Sequence, residues 1–297
     1  MIPMNPPSPI QVRMWISKPH NPALASRTCV LVPLLFALLA SHGWAVDKAG
    51  AAATPSGAPQ AEEDFESYPA DATFTTKQIL GSDGKGWASA WKTGGSSSLP
   101  KGTIADSPSM GSGRYLSGTV TTQSARDVSS GAITRAFLAS KIAGPFTISF
   151  RFRPDTVPDN VSYLIGDTKA ASAFGPDSTS SWKIAAINGT WQCFDGAANR
   201  GPNNYIDSEI PVTAGTVYDM TVTVDPGSHK WKATISGGGK TFTQEEINSR
   251  SSTFDLDTEG VTDARWITFA VQEVVAVGTP TVGTTGNFSV DSISIRY

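Results

Sequence analysis

Residues 146–153 alternate without a fault. Phe146, Ile148, Phe150 and Phe152 fall on one side, and Thr147, Ser149, Arg151 and Arg153 on the other. A period of two, built from aromatic and β-branched residues, is what a half-buried strand requires; a helix would scatter the same apolar set around its axis. Residues 218–224 repeat the pattern with Tyr218, Met220, Val222 and Val224 inward, and 230–235 put Trp231, Ala233 and Ile235 on one face. The turn cluster Asp225-Pro226-Gly227-Ser228 between them predicts a β-hairpin with His229 exposed at its turn. Further strands are expected at 115–120, 132–137, 163–166, 182–187, 191–194, 266–272 and 288–295. Asn188-Gly189 predicts a tight turn joining two of them. Residues 182–187 are apolar on both faces, which predicts a strand covered on each side. The last strand breaks parity, with Phe288 and Val290 on one face and Ile293 and Ile295 on the other; a bulge near Asp291-Ser292 reconciles them. Thr243-Gln-Glu-Glu246 has the form of a capping box and predicts one short helix near 244–249. Many short strands, no strand–helix–strand rhythm and no internal repeat predict an all-β, antiparallel two-sheet sandwich or barrel.

The N-terminal region has another character. Residues 29–40, CVLVPLLFALLA, are a dozen apolar residues interrupted by Pro33. That is too short to span a bilayer and right for the apolar core of a secretory signal, with Arg27 as its positive flank. Gly43-Trp44-Ala45 places small residues at the cleavage positions, so 1–45 read as a signal peptide, starting at Met1 or at Met14. Residues 46–63 are Ala/Pro-rich and aperiodic and read as a flexible linker, and the folded domain is expected over 64–297. Export to the medium, periplasm or cell surface follows, with no membrane span after cleavage.

Two of the three histidines, His20 and His42, and one of the two cysteines, Cys29, lie in that leader. The remainder keeps only His229 and Cys193, so no disulfide can form within it and no imidazole-organised triad can be assembled. The whole chain carries a net charge of −3, and the leader holds Arg13, Lys18 and Arg27 without an acid, so the exported part is more acidic still. With no Lys/Arg cluster there is no footprint for nucleic acid or an anionic membrane.

Three stretches in order resemble the concanavalin A-like lectin/glucanase superfamily, the laminin-G-like jelly rolls of exported bacterial proteins. They are Asp64-Phe65-Glu66-Ser67-Tyr68 followed by Gly84-Lys-Gly86-Trp87-Ala-Ser-Ala-Trp91, the strand from Phe146 to Pro154, and Phe288-Ser-Val-Asp-Ser-Ile-Ser-Ile295. The resemblance implies a jelly-roll sandwich of two curved antiparallel sheets, in a superfamily that holds binding modules, glycosidases and lyases alike, so fold does not settle function. In such an exported protein the glycosylation-like triplets at Asn160, Asn188 and Asn287 carry no meaning.

Three sets of residues are candidates for chemistry. Asp255, Asp257 and Glu259 alternate, which on a strand would place three carboxylates on one face; a retaining glycosidase needs two of them about 5 Å apart. They resemble the acidic strand of laminarinase-type enzymes, with Asp in the first place where those have Glu. Trp91 and Trp191 are the tryptophans best placed to reach a surface and stack on a sugar ring, and Arg151 lies on the polar face of its strand. Asp167, Asp177, Asp195 and Asn199 sit in expected loops, where oxygen ligands suit a structural Ca²⁺. No other cofactor is indicated. The sequence thus points to an exported, non-catalytic sandwich that binds polysaccharide, a cell-surface glycan or another extracellular surface; the alternative is a glycoside hydrolase using Asp255, Asp257 and Glu259.

Overall fold

The computed structural model describes residues 61–75, 86–96, 98–111, 113–122, 128–138, 144–168, 180–196, 204–249, 264–274 and 283–297. Within them the chain is all-β, in two antiparallel sheets. The nine-stranded sheet runs, from one edge to the other, β14 (Lys240–Asn248), β13 (Lys230–Gly237), β12 (Tyr218–Asp225), β7 (Phe146–Pro154), β16 (Thr285–Arg296), β5 (Tyr115–Thr122), β4 (Ser98–Ala105) and β2 (Thr73–Thr75). Its ninth strand, β1 (Ala61–Glu63), pairs with the second half of β16. The seven-stranded sheet runs β11 (Tyr205–Pro211), β10 (Thr190–Phe194), β9 (Lys183–Ile187), β8 (Val161–Thr168), β15 (Ala264–Val274), β6 (Val128–Leu138) and β3 (Lys92–Ser96). Among the described residues no helix is long and apolar enough to cross a membrane.

Alternation dictates which side chains meet between the sheets. Phe146, Ile148, Phe150 and Phe152 of β7 are buried, at 2 % exposure or less. Phe152 packs its ring on Phe288 of β16 at 5.6 Å and crosses to Tyr163, Trp191 and Phe269 of the other sheet at 5.7, 5.6 and 6.3 Å. Such interlocked rings add to their area burial through edge-to-face and offset contacts. The core leaves no room at Gly118 of β5, where a Cβ would come within 2.4 Å of the Phe288 ring. β16 carries its bulge between Asp291 and Ser294, with Ser292 at φ 53°, so that both halves of the strand send apolar residues inward. Asn188 and Gly189 turn with φ of 53° and 81°, the two positive values that a two-residue hairpin of this kind needs.

Two expectations are corrected. The segment near 244–249 is not a helix but the end of β14, an edge strand paired with β13. Thr243 does not cap a helix; its hydroxyl lies 3.2 Å from that of Thr234, Lys232 Nζ donates to Glu245 Oε1 at 2.8 Å, and Ile247 turns into the core. Sheet pairing overrides the local capping signal, as it does when a short helix has no apolar face to bury. Residues 61–63, read as the end of the linker, form β1 against Ile293, Ser294 and Ile295. Glu63 is buried there in an ion pair with Arg135, and Tyr68 donates to its Oε2 at 2.7 Å.

Cys193 points into the core from β10. Burial pushes its thiol up to about 12, so the thiolate, the reactive form, is absent until well above neutral pH. In the native protein alkylation at Cys193, mapped by peptide mass spectrometry, is expected to be undetectable at pH 7 and no faster at pH 9, and to become complete in denaturant. The thermal midpoint is expected to be the same with and without reductant. Ready native labelling would mean that β10 opens or that its register is wrong.

Candidate functional site

The seven-stranded sheet has a second organised face. Ile133 and Phe137 of β6, Ile267, Phe269 and Val271 of β15, Tyr163 and Ile165 of β8, and Ile184 and Ala186 of β9 point to the core between the sheets. Their neighbours therefore point away from it. Register aligns these outward residues in rows across the strands. One row reads Lys92, Thr134, Thr268, Gly166, Lys183; the next reads Gly94, Ala132, Ala270, Leu164, Ala185, Gln192; a third holds Ser130, Gln272 and Ser162. The middle of this face is made of small residues. Ala132, Leu164, Ala185 and Ala270 form a separate buried apolar cluster, with Ile187 and Tyr205 against it. Beside it the hydroxyls of Thr134, Thr268 and Thr168 are linked at 2.9 and 3.0 Å. Residues 182–187 are thus covered on both faces, as their apolar pattern requires.

Where these rows end, at Ser162, Leu164, Ile187 and Gln272, the surface opens into a cleft of about 660 Å³. Its walls are the 157–160 loop, the Asn188-Gly189 turn, Tyr205 and Val212. Each wall is fastened from behind. Val161 N–H donates to Pro158 O at 3.1 Å, closing the loop, and Val212 N–H donates to Gly189 O at 2.8 Å, tying the turn to the segment after β11. The Tyr163 hydroxyl lies between the carbonyls of Thr156 and Asn287 at 2.5 and 2.8 Å, and burial pushes it up to about 12. Asn160 Nδ2 donates to Glu273 Oε1 at 2.6 Å. Glu273, 1 % exposed, also accepts from the Thr284 hydroxyl at 2.6 Å and from the hydroxyl of Thr122. The 157–160 loop is thereby pinned to the inner end of β15.

The lining is mixed. Val157, Pro158, Leu164, Ile187 and Val212 are apolar; Asn160, Ser162, Asn188, Gln272 and Tyr205 offer amides and hydroxyls; Asp159 is the one charged side chain among the described residues of the wall. Amides and hydroxyls both donate and accept, so the cleft is suited to a neutral, polyhydroxylated ligand with apolar C–H faces.

The residues singled out from sequence lie elsewhere. Trp91 and Trp191 do not reach the surface: they are 1 % and 0 % exposed, Trp91 stacked on Phe65 at 5.8 Å and Trp191 edge-on to Tyr218 at 5.3 Å. Arg151 is on the outer face of the nine-stranded sheet, the other sheet from the cleft, with Nε 3.2 Å from Asp219 Oδ1. Asp167 is fully buried, not in a loop. It accepts from the backbone N–H groups of Ser181 and Trp182 at 2.6 and 3.3 Å and pairs with Arg265 at 2.6 Å. A carboxylate so occupied, beside a guanidinium, does not fit a calcium ligand. Asp195 Oδ1 accepts from the backbone and side-chain N–H of Asn248 at 3.2 and 2.7 Å. Among the described residues no three of His, Cys, Asp or Glu come together to hold an ion. Asp177, Asn199, Asp255, Asp257 and Glu259 lie outside the described residues.

No protein-family model matches the chain, and no curated protein does. Solved structures similar to it include the catalytic domain of a family 131 glycoside hydrolase from Coprinopsis cinerea, at 12% identity over 62% of this chain and 70% of that one, with a TM-score of 0.40. A family 131 β-glucanase catalytic domain from Podospora anserina is 9% identical over 66% and 78% of the two chains, with a TM-score of 0.44. Arcelin-5, a lectin-like defence protein from Phaseolus vulgaris, is 11% identical over 77% and 100%, with a TM-score of 0.38.

Proposed function

We propose that the protein is an exported, non-catalytic sandwich that binds a glycan in the cleft between the 157–160 loop and the Asn188-Gly189 turn. The observation that carries this reading is the lining: amide and hydroxyl groups set among apolar patches, in a volume of about 660 Å³, within the ~300–1,000 Å³ usual for small-ligand sites. Sugars present hydroxyls that donate and accept together with flat C–H faces, and Asn188, Gln272, Ser162 and Tyr205 against Leu164 and Ile187 answer both. Export is supported by the leader.

The test is a glycan array followed by calorimetry on the purified protein. Gln272→Ala removes an outward, half-buried amide from the cleft floor and is expected to lower affinity about tenfold, the value of one good hydrogen bond, with the thermal midpoint unmoved. Binding that is untouched by Gln272→Ala would place the glycan site elsewhere, and an array with no positive member would remove the reading.

A further inference from the structure

The charges around the cleft are one-sided. Asp159 stands exposed at its mouth. Behind Asn160, one hydrogen bond of 2.6 Å away, sits the carboxylate of Glu273, buried at 1 % exposure. Its partners, Thr122, Asn160 and Thr284, are neutral donors. No Lys, Arg or His is among the described residues that line the cleft. Lys183, on the same outer face, is 4 % exposed and holds its Nζ 4.5 Å from the Phe194 ring and 5.4 Å from the Tyr205 ring, so it faces aromatic carbon there.

Resting on the glycan reading above, we infer that the cleft selects uncharged glycans, and that Asp159 at its mouth disfavours chains bearing uronate or sulfate. The physics is that of a repulsive element. An anionic group entering the cleft gives up water and meets the negative charge of Asp159, with no cation among the described residues of the wall to offset it, which costs more than it would in open solvent. Discrimination between a neutral sugar and its C6-oxidised counterpart then needs no extra attractive contact with the neutral one. Asp159, being at the mouth, acts on approach and is sensitive to salt.

The experiment is an array of matched hexose oligosaccharides, each neutral member beside its C6-carboxylated and its 6-sulfated form. The purified protein and its Asp159→Asn, Asp159→Lys and Gln272→Ala variants are read at ~20 mM and at ~500 mM salt, above and below the screening length of the mouth charge. The protein is expected to bind its neutral members at least about tenfold more tightly than their charged counterparts at low salt. Asp159→Asn is expected to narrow that gap to about threefold, Asp159→Lys to close it, and high salt to shrink it in the parent. Charged members bound as tightly as neutral ones, with Gln272→Ala abolishing both, would overturn the selectivity and leave the glycan reading standing. An array with no bound member overturns both. Because Asp159 is exposed and makes none of the hydrogen bonds that fasten the loop, its variants are expected to fold as the parent does, which circular dichroism checks.

Discussion

Phe152→Ala is expected to lower the free energy of unfolding by about 3–5 kcal/mol, the usual cost of emptying a buried phenylalanine site. The hole is in the worst place for it. Phe152 touches rings from both sheets, Phe288 on its own and Tyr163, Trp191 and Phe269 on the other, all within 6.3 Å. Each belongs to a different strand, and those strands are fixed by their ladders, so collapse onto the cavity is limited. Against the roughly 5–15 kcal/mol by which domains are normally stable, the variant should show a greatly reduced urea midpoint and weakened aromatic circular dichroism. Phe150→Ala, with rings of Trp182 and Phe269 as neighbours at 6.4 and 5.5 Å, should fall the same way. Lys232→Ala, from an exposed pair with Glu245, is the control and should stay within about 0.5 kcal/mol. If Phe152→Ala were as mild as Lys232→Ala, the register of β7 would be wrong.

The second large effect is expected at Asp167. Asp167→Ala takes away the acceptor for two backbone N–H groups and for the Ser181 hydroxyl, and it removes the carboxylate paired with the buried Arg265 guanidinium. Breaking a buried pair from one side typically costs about 3–5 kcal/mol. Asp167→Ala and Arg265→Met together should cost less than the sum of the two single changes, because the ion pair they share is lost only once. Added calcium should not restore the single variant, since the vacancy lies beside a cation. Denaturant midpoints of the four proteins in the cycle measure this. Costs that simply add would show that the backbone contacts at Ser181 and Trp182, and not the ion pair, carry the energy.

Those two sites also mark where the sequence could be read and where it could not. The faces of β7, β12 and β13, the tight turn at Asn188-Gly189 and the bulge in β16 were all legible, because strict alternation and its single fault leave few ways to bury the apolar set. β3, β4 and β11 gave no such signal. They read KTGGS, SLPKGTIA and YIDSEIP, polar and rich in Gly and Pro, and they are strands because their neighbours pair with them. Asp167 looked like a loop acid, for no local pattern shows that Arg265 will face it from β15. The cleft was illegible for the same reason. Ser162, Ile187 and Gln272 come from three strands whose order, β9-β8-β15, is a crossover that single-strand periodicity does not encode. Asn160 and Ser162 stood out in the sequence only as part of a glycosylation-like triplet. Trp91 and Trp191 mislead because proximity to a turn is not access to solvent: Trp191 is an inward residue of β10, and Trp91, just ahead of β3, is buried in the core.

The pairing of β1 with β16 has a mechanical consequence. Ala61 lies opposite Ile295 and Glu63 opposite Ile293, so the chain runs into the sandwich and out of it on the same side. Tension applied between those two points loads the short antiparallel ladder bond by bond, as a zipper is opened, instead of shearing all its bonds together. The first strand would peel away at low force, taking with it the Trp87 indole hydrogen bond to Glu62 O and the buried contact of Glu63 with Arg135, while the aromatic interior between the sheets stayed closed.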